Sequence, residues 1–172
     1  MNTTVRIVLL VMWVGAEVQA FPAARSVGLK VGSVHPDRHF QNMPAVGLEM
    51  EVGKTSPNLC VVPFAEYSAG GGAAGRPWRV MSYGVSLLRL HRFRYTATHV
   101  YYGGGLGFAL GRFSMLDGNE LDLALNVLTG VSTPLNRRFA LNLTAKYLLT
   151  GNMNHLSAWF GISQVLEKSL TE

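Results

Sequence analysis

One cysteine is all this chain has, at Cys60. No intrachain disulfide can form, and a metal site built on cysteines is excluded. Charge is scarce too: Asp, Glu, Lys and Arg make up 15% of the 172 residues, where about 25% is usual for a soluble domain. Long apolar runs are missing beyond the N-terminus, although 48% of residues are hydrophobic. His35, His39, His91 and His99 are scattered without metal-ligand spacing, so no metal or other cofactor is expected. No stretch after the N-terminus keeps the apolar spacing of an amphipathic helix. An apolar chain with neither a spanning helix nor an amphipathic one has the bulk character of a transmembrane β-barrel.

The first twenty residues read as a secretory signal peptide. Arg6 supplies the positive start, Ile7 to Gly15 is a short apolar core, and Val18-Gln19-Ala20 offers light residues to a signal peptidase. Cleavage is expected before Phe21, with a second site after Ala24. The apolar core is too short for a membrane anchor, which needs about 20 residues. The expected division is residues 1–20 as leader and 21–172 as one barrel domain. Losing the leader removes Arg6 and Glu17 together, so the net charge of +5 is unchanged.

What the remainder has is alternation. Thr98 to Gly111 reads THVYYGGGLGFALG. Val100, Tyr102, Leu106, Phe108 and Leu110 share one strand face, while Tyr101, Gly103, Gly105, Gly107, Ala109 and Gly111 share the other. One face is bulky and apolar; the other is small rather than charged. Small residues suit the crowded inside of a narrow barrel, with the bulky face turned to lipid. No helix follows these glycines, so they do not form a phosphate loop.

Seven more runs repeat the pattern: Arg25 to Val34, Ala45 to Lys54, Leu59 to Ser68, Trp78 to Leu90, Glu120 to Gly130, Arg138 to Leu149 and His155 to Leu166. The second is the clearest, with Val46, Leu48, Met50 and Val52 alternating with Gly47, Glu49, Glu51 and Gly53. The run from Leu59 is apolar on both faces, which leaves its facing open, and Pro63 removes one ladder donor. Most runs are long enough to cross a bilayer at a tilt of about 45°.

Short connections (Thr55 to Asn58, Arg92 to Thr96, Ser132 to Asn136) alternate with longer ones (His35 to Pro44, Ala69 to Pro77, Ser114 to Asn119). Short turns at one end and long loops at the other suit an outer-membrane barrel; the short Thr150 to Asn154 breaks the trend. Tyr67, Trp78, Phe93, Tyr95, Phe113, Phe139 and Tyr147 fall near strand ends, as interfacial girdles do. The basic pairs in His91 to Arg94 and at Arg137-Arg138 fall in turns and are expected near lipid headgroups. They make no run of the kind a nucleic acid would need.

On the leader, the eight runs, YYGGGLGFALG and the closing LSAWFGISQ, the chain resembles the small Gram-negative outer-membrane β-barrel proteins of the OmpA-like or OmpX-like class. The resemblance implies an all-β, eight-stranded, antiparallel up-and-down transmembrane barrel in the outer membrane. Family members usually end on an aromatic residue; here Glu167 to Glu172 follow the last strand. The resemblance implies a monomer whose partners are outer-membrane lipid and lipopolysaccharide, with an extracellular ligand reached through the loops and no nucleic acid.

Inward-facing charges would be Lys30, Glu49, Glu51, Glu66, Asp122 and Lys146. Isolated buried charges are costly, so these six are expected to pair as a lumen polar network and fill a narrow barrel. The expected function is an integral outer-membrane protein with a structural or surface-interaction role, not a general porin. Two alternatives stay open. Some barrels of this size are lipid A deacylases, with Tyr-x-His-x-Ser-Asn on the penultimate strand facing lipid. Here Tyr147 and Asn152 match while Leu149 and Gly151 replace the two reactive residues, so no catalytic residue is assigned and His155 with Ser157 reads as a polar loop edge. The other alternative is an exported lipocalin-like barrel, with the apolar face inward around an apolar ligand.

Overall fold

Period-two alternation commits a segment to a strand, because only an extended chain puts every second side chain on one surface. In the computed structural model, eight segments do so: β1 (Ala24–Pro36), β2 (Met43–Ser56), β3 (Leu59–Gly71), β4 (Pro77–Arg92), β5 (His99–Gly111), β6 (Glu120–Pro134), β7 (Phe139–Thr150) and β8 (His155–Val165). The structure describes residues 24–36, 42–56, 58–71, 77–111, 120–151 and 154–166. The expected leader and its cleavage point, most of the three longer loops, Asn152 and the tail after Leu166 lie outside the described residues, as do the side chains of Trp78 and Phe113.

Each strand pairs antiparallel with the next, and β8 returns to β1 to close the barrel. The closing ladder is continuous from Ser26↔Val165 to Pro36↔His155. Closure leaves no sheet edge, the condition a β-structure must meet to sit in hydrocarbon. The connections at 37–42, 72–76, 112–119 and 151–154 share one end, called here the loop end. Those at 57–58, 93–98 and 135–138 share the other, the turn end. The last of these is fixed locally: the Asn136 side-chain oxygen accepts from the backbone N–H of Arg138 at 2.8 Å and of Phe139 at 2.9 Å, an Asx turn.

The barrel is apolar on its outside. Leu29, Val31, Met81, Val85, Leu106, Leu123, Leu143 and Phe160 are among the large hydrophobic side chains it exposes, and Leu106 and Leu143 keep 60% and 61% of their surface. That settles the two-way choice left by alternation: the bulky faces turn out and the small and charged faces turn in, the reverse of a lipocalin-like interior.

Four local expectations change. The strands run further than the alternation alone reaches, so His35, Pro36, Met43 and Pro44 at the loop end and Ser132 to Pro134 at the turn end are strand rather than connection. Their partners on neighbouring strands, β8 for His35 and Pro36 and β1 for Met43 and Pro44, extend the ladder, which local turn chemistry does not register. The facing of β3 is decided: Cys60, Val62, Phe64, Glu66 and Ser68 are inward and buried. Pro63 points outward; the β2–β3 pairing reaches Glu49↔Phe64 and resumes at Val52↔Val61, as the missing N–H requires. His155 and Ser157 are not a loop edge. Both are inside the barrel, and Ser157 keeps 1% of its surface.

The fourth change concerns the glycines of β5. Read above as making room for a crowded interior, they instead let β4 approach. A Cβ at Gly103, Gly105 or Gly107 would run into the backbone carbonyl oxygen of Leu87, Val85 or Tyr83. The large inward side chains cover other glycines: Tyr101 lies against Gly130, Trp159 against Gly32 and Lys30 against Gly47.

Candidate functional site

The lumen is layered. At the loop end Val34, Met43, Ala45, Val80, Ala109, Ala124, Leu148 and Trp159 form an apolar cluster. Below it lies the charged layer. Nearer the turn end, Cys60, Val62, Leu88 and Tyr101 form a second apolar cluster, with Leu90 and Leu128 packed against it.

Glu66 is the hub of the charged layer. Lys146, 2% exposed, donates to its two oxygens at 2.9 and 2.8 Å. Lys30 reaches Glu66 Oε1 at 2.9 Å and Glu49 Oε2 at 3.1 Å, and the Ser82 hydroxyl donates to Glu66 Oε2 at 3.2 Å. Both ammonium groups also lie over aromatic rings: Lys146 Nζ is 3.4 Å from the centre of Phe64 and Lys30 Nζ is 4.9 Å from that of Trp159. Two lysines, one shared carboxylate and a second carboxylate to the side balance in charge. Buried ions without partners cost several kcal/mol each, so this layer holds together only as a set.

Four of the six inward charges expected from the sequence therefore meet: Lys30, Glu49, Glu66 and Lys146. Glu51 lies closer to the turn end, where it lines a cavity. Asp122 lies toward the loop end, beside Gly151. The two are separated from the hub because the inward positions of one strand step about 7 Å at a time along the barrel.

Around the hub, neutral groups complete the packing. The Trp159 indole N–H donates to Ser157 Oγ at 2.8 Å, and that hydroxyl donates to the Lys146 carbonyl at 3.1 Å. Tyr101 and Thr144 share a 2.6 Å hydrogen bond. Ser86 donates to Asn126 at 3.0 Å, and Asn142 to Ser163 at 3.1 Å. Sequence reasoning did not pick out these hydroxyl and amide pairs, which span the lumen above and below the hub. The available signal was their inward parity with Lys30 and Lys146.

Toward the turn end the lumen widens. A cavity of about 500 Å³ opens there, lined by Arg25, Glu51, Arg92 and His99 among others. It adjoins a smaller chamber of about 90 Å³ that extends toward Glu49 and Tyr101. Among the described residues no cluster of His, Cys, Asp or Glu is arranged to hold a metal ion.

No protein family's sequence profile matches this chain, and no curated protein matches it in sequence. Solved structures do match its fold. The crystal structure of Neisserial surface protein A (NspA) superposes with a TM-score of 0.66 over 83% of this chain and 96% of that one, at 12% identity. The N-terminal β-barrel domain of Pseudomonas aeruginosa OprF gives 0.55 over 82% and 98%, at 10% identity. The outer membrane enzyme PagL gives 0.54 over 81% and 98%, at 14% identity. At such identities the likeness establishes the fold, the eight-stranded barrel of small outer-membrane proteins.

Proposed function

We propose that this chain is an integral outer-membrane β-barrel with a structural or surface-interaction role, and that it is not a general porin. The observation that carries this is the pairing of an apolar exterior with a lumen crossed by ion pairs. Leu29, Val31, Leu106, Leu123 and Phe160 would be costly to leave in water, and hydrocarbon is the solvent that suits them. Inside, Lys30, Glu49, Glu66 and Lys146 stand across the path that a porin would keep open. An eight-stranded barrel is just wide enough for its own side chains. The interaction surface is then assigned to the loop end, where connections on a rigid scaffold place binding. The partners on this reading are outer-membrane lipid and lipopolysaccharide around a monomer, with an extracellular ligand at the loops.

Two measurements test it. The expressed protein should sediment with outer membranes and need detergent for release; recovery from the soluble periplasm would refute the membrane assignment. Purified protein in planar bilayers should give no large, stable single-channel conductance. Steady openings would mean that the lumen is open and that Lys30, Glu49, Glu66 and Lys146 select ions rather than block them.

PagL, a fold neighbour, is an enzyme, so catalysis needs its own answer. We infer no deacylase chemistry here. Leu149 and Gly151 stand where that signature has its reactive pair, and Ser157 is buried and bonded on both sides rather than turned to lipid. Expression should leave the acyl pattern of lipid A unchanged by mass spectrometry. Loss of an acyl chain that Ser157→Ala abolishes would overturn this.

A further inference from the structure

The turn-end cavity has a charge order that its position alone does not require. Arg25 should face outward by parity, alongside Leu29 and Val31. It does not, because the β1–β2 register slips between Ala24↔Val52 and Ser26↔Glu51. The extra residue of this bulge is Arg25, and the bulge swings it into the cavity wall. Bulges, which re-aim a side chain, are over-represented at barrel rims and next to active sites. Across the mouth stands Arg92, whose Nε donates to His99 Nε2 at 3.1 Å. Arg25 and Arg92 thus form a cationic rim.

Further in, the sign reverses. Glu51 lines both the cavity and the inner chamber, so it stands at their junction. Glu49, two residues deeper on the same face, lines the chamber. It meets Lys30 through Oε2, and its side chain keeps 23% of its surface. A free anion held at the rim would have Glu51 behind it. A free cation would have to pass two guanidiniums. A molecule carrying both charges satisfies both layers when its ammonium leads. The sizes agree: about 90 Å³ is room for roughly three waters, hence for an ammonium and its first carbons. The outer 500 Å³ lies within the roughly 300–1,000 Å³ range of small-molecule sites.

We propose that this vestibule binds a short zwitterion, an amino acid or dipeptide, entering from the turn side, with its ammonium between Glu51 and Glu49 and its carboxylate on Arg25 and Arg92. This goes beyond the structural reading above and does not need the lumen to conduct.

The test is a titration of the full folded barrel in detergent micelles with glycylglycine, with acetate and ethylamine as half-ligands. Glycylglycine should bind saturably and at least tenfold more tightly than either half. Arg92→Gln and Glu51→Gln should each weaken it at least tenfold while leaving the folded barrel's gel mobility unchanged. Arg25→Gln, at a half-buried rim position, gives the same readout should either of those fail to fold, and Arg25→Lys should retain binding. Absence of saturable binding would overturn the proposal. So would acetate binding as tightly as glycylglycine, which would make this an anion site only, or glycylglycine affinity indifferent to the rim and floor variants.

Discussion

Glu66→Gln is expected to destabilise the barrel by about 3–5 kcal/mol, the usual cost of breaking a buried pair and leaving its partner charged. Its effect should exceed that of Lys146→Met. Lys146 is bonded to no other carboxylate among the described residues, so removing Glu66 leaves a buried ammonium facing an amide. Removing Lys146 instead leaves Glu66 with Lys30, and the hub stays partly neutralised. The double replacement Glu66→Leu with Lys146→Met should recover most of the loss, because Lys30 keeps Glu49 and buried ion pairs exchanged for apolar groups are often neutral. Urea unfolding of the micelle-bound barrel, followed by tryptophan fluorescence, measures all three. Equal losses for the two single variants would show that Glu66 is not the hub.

Gly105→Ala is expected to be nearly as harmful, although it adds one methyl group. Ordinary over-packing costs about 1–3 kcal/mol, and that range assumes that neighbours can give way. Here the added atom would meet the Val85 carbonyl oxygen and lie 2.7 Å from the Ser86 Cα. Backbone in a closed ladder cannot rotate aside, so β4 and β5 would have to separate. Gly151→Ala is the fitting control: its nearest neighbours are the Asp122 carboxylate oxygens at 3.2 Å, at the end of a side chain that can move. The fraction of unheated protein migrating as folded barrel should fall for Gly105→Ala and hold for Gly151→Ala. Equal behaviour would mean that the β4–β5 approach is not a constraint.

The sequence by itself determined which segments are strands and which of their faces are alike, because alternation is local and needs no partner. The runs around Val46 to Gly53 and Val100 to Gly111 carry their two faces openly. Parity alone also puts Lys30, Glu49, Glu51, Asp122 and Lys146 on the small faces. Three things were left to tertiary structure. The facing of β3 was open because Cys60 to Ser68 is apolar on both sides, and only its register with β2 and β4 turned Glu66 inward. Which charges meet depends on the stagger of strands around the barrel, a property no single strand contains, and it gathered four and separated Glu51 and Asp122. The bulge at Arg25 is a mismatch between two strands. Neither strand's own residues encode it, and it changed the side of the wall on which Arg25 sits.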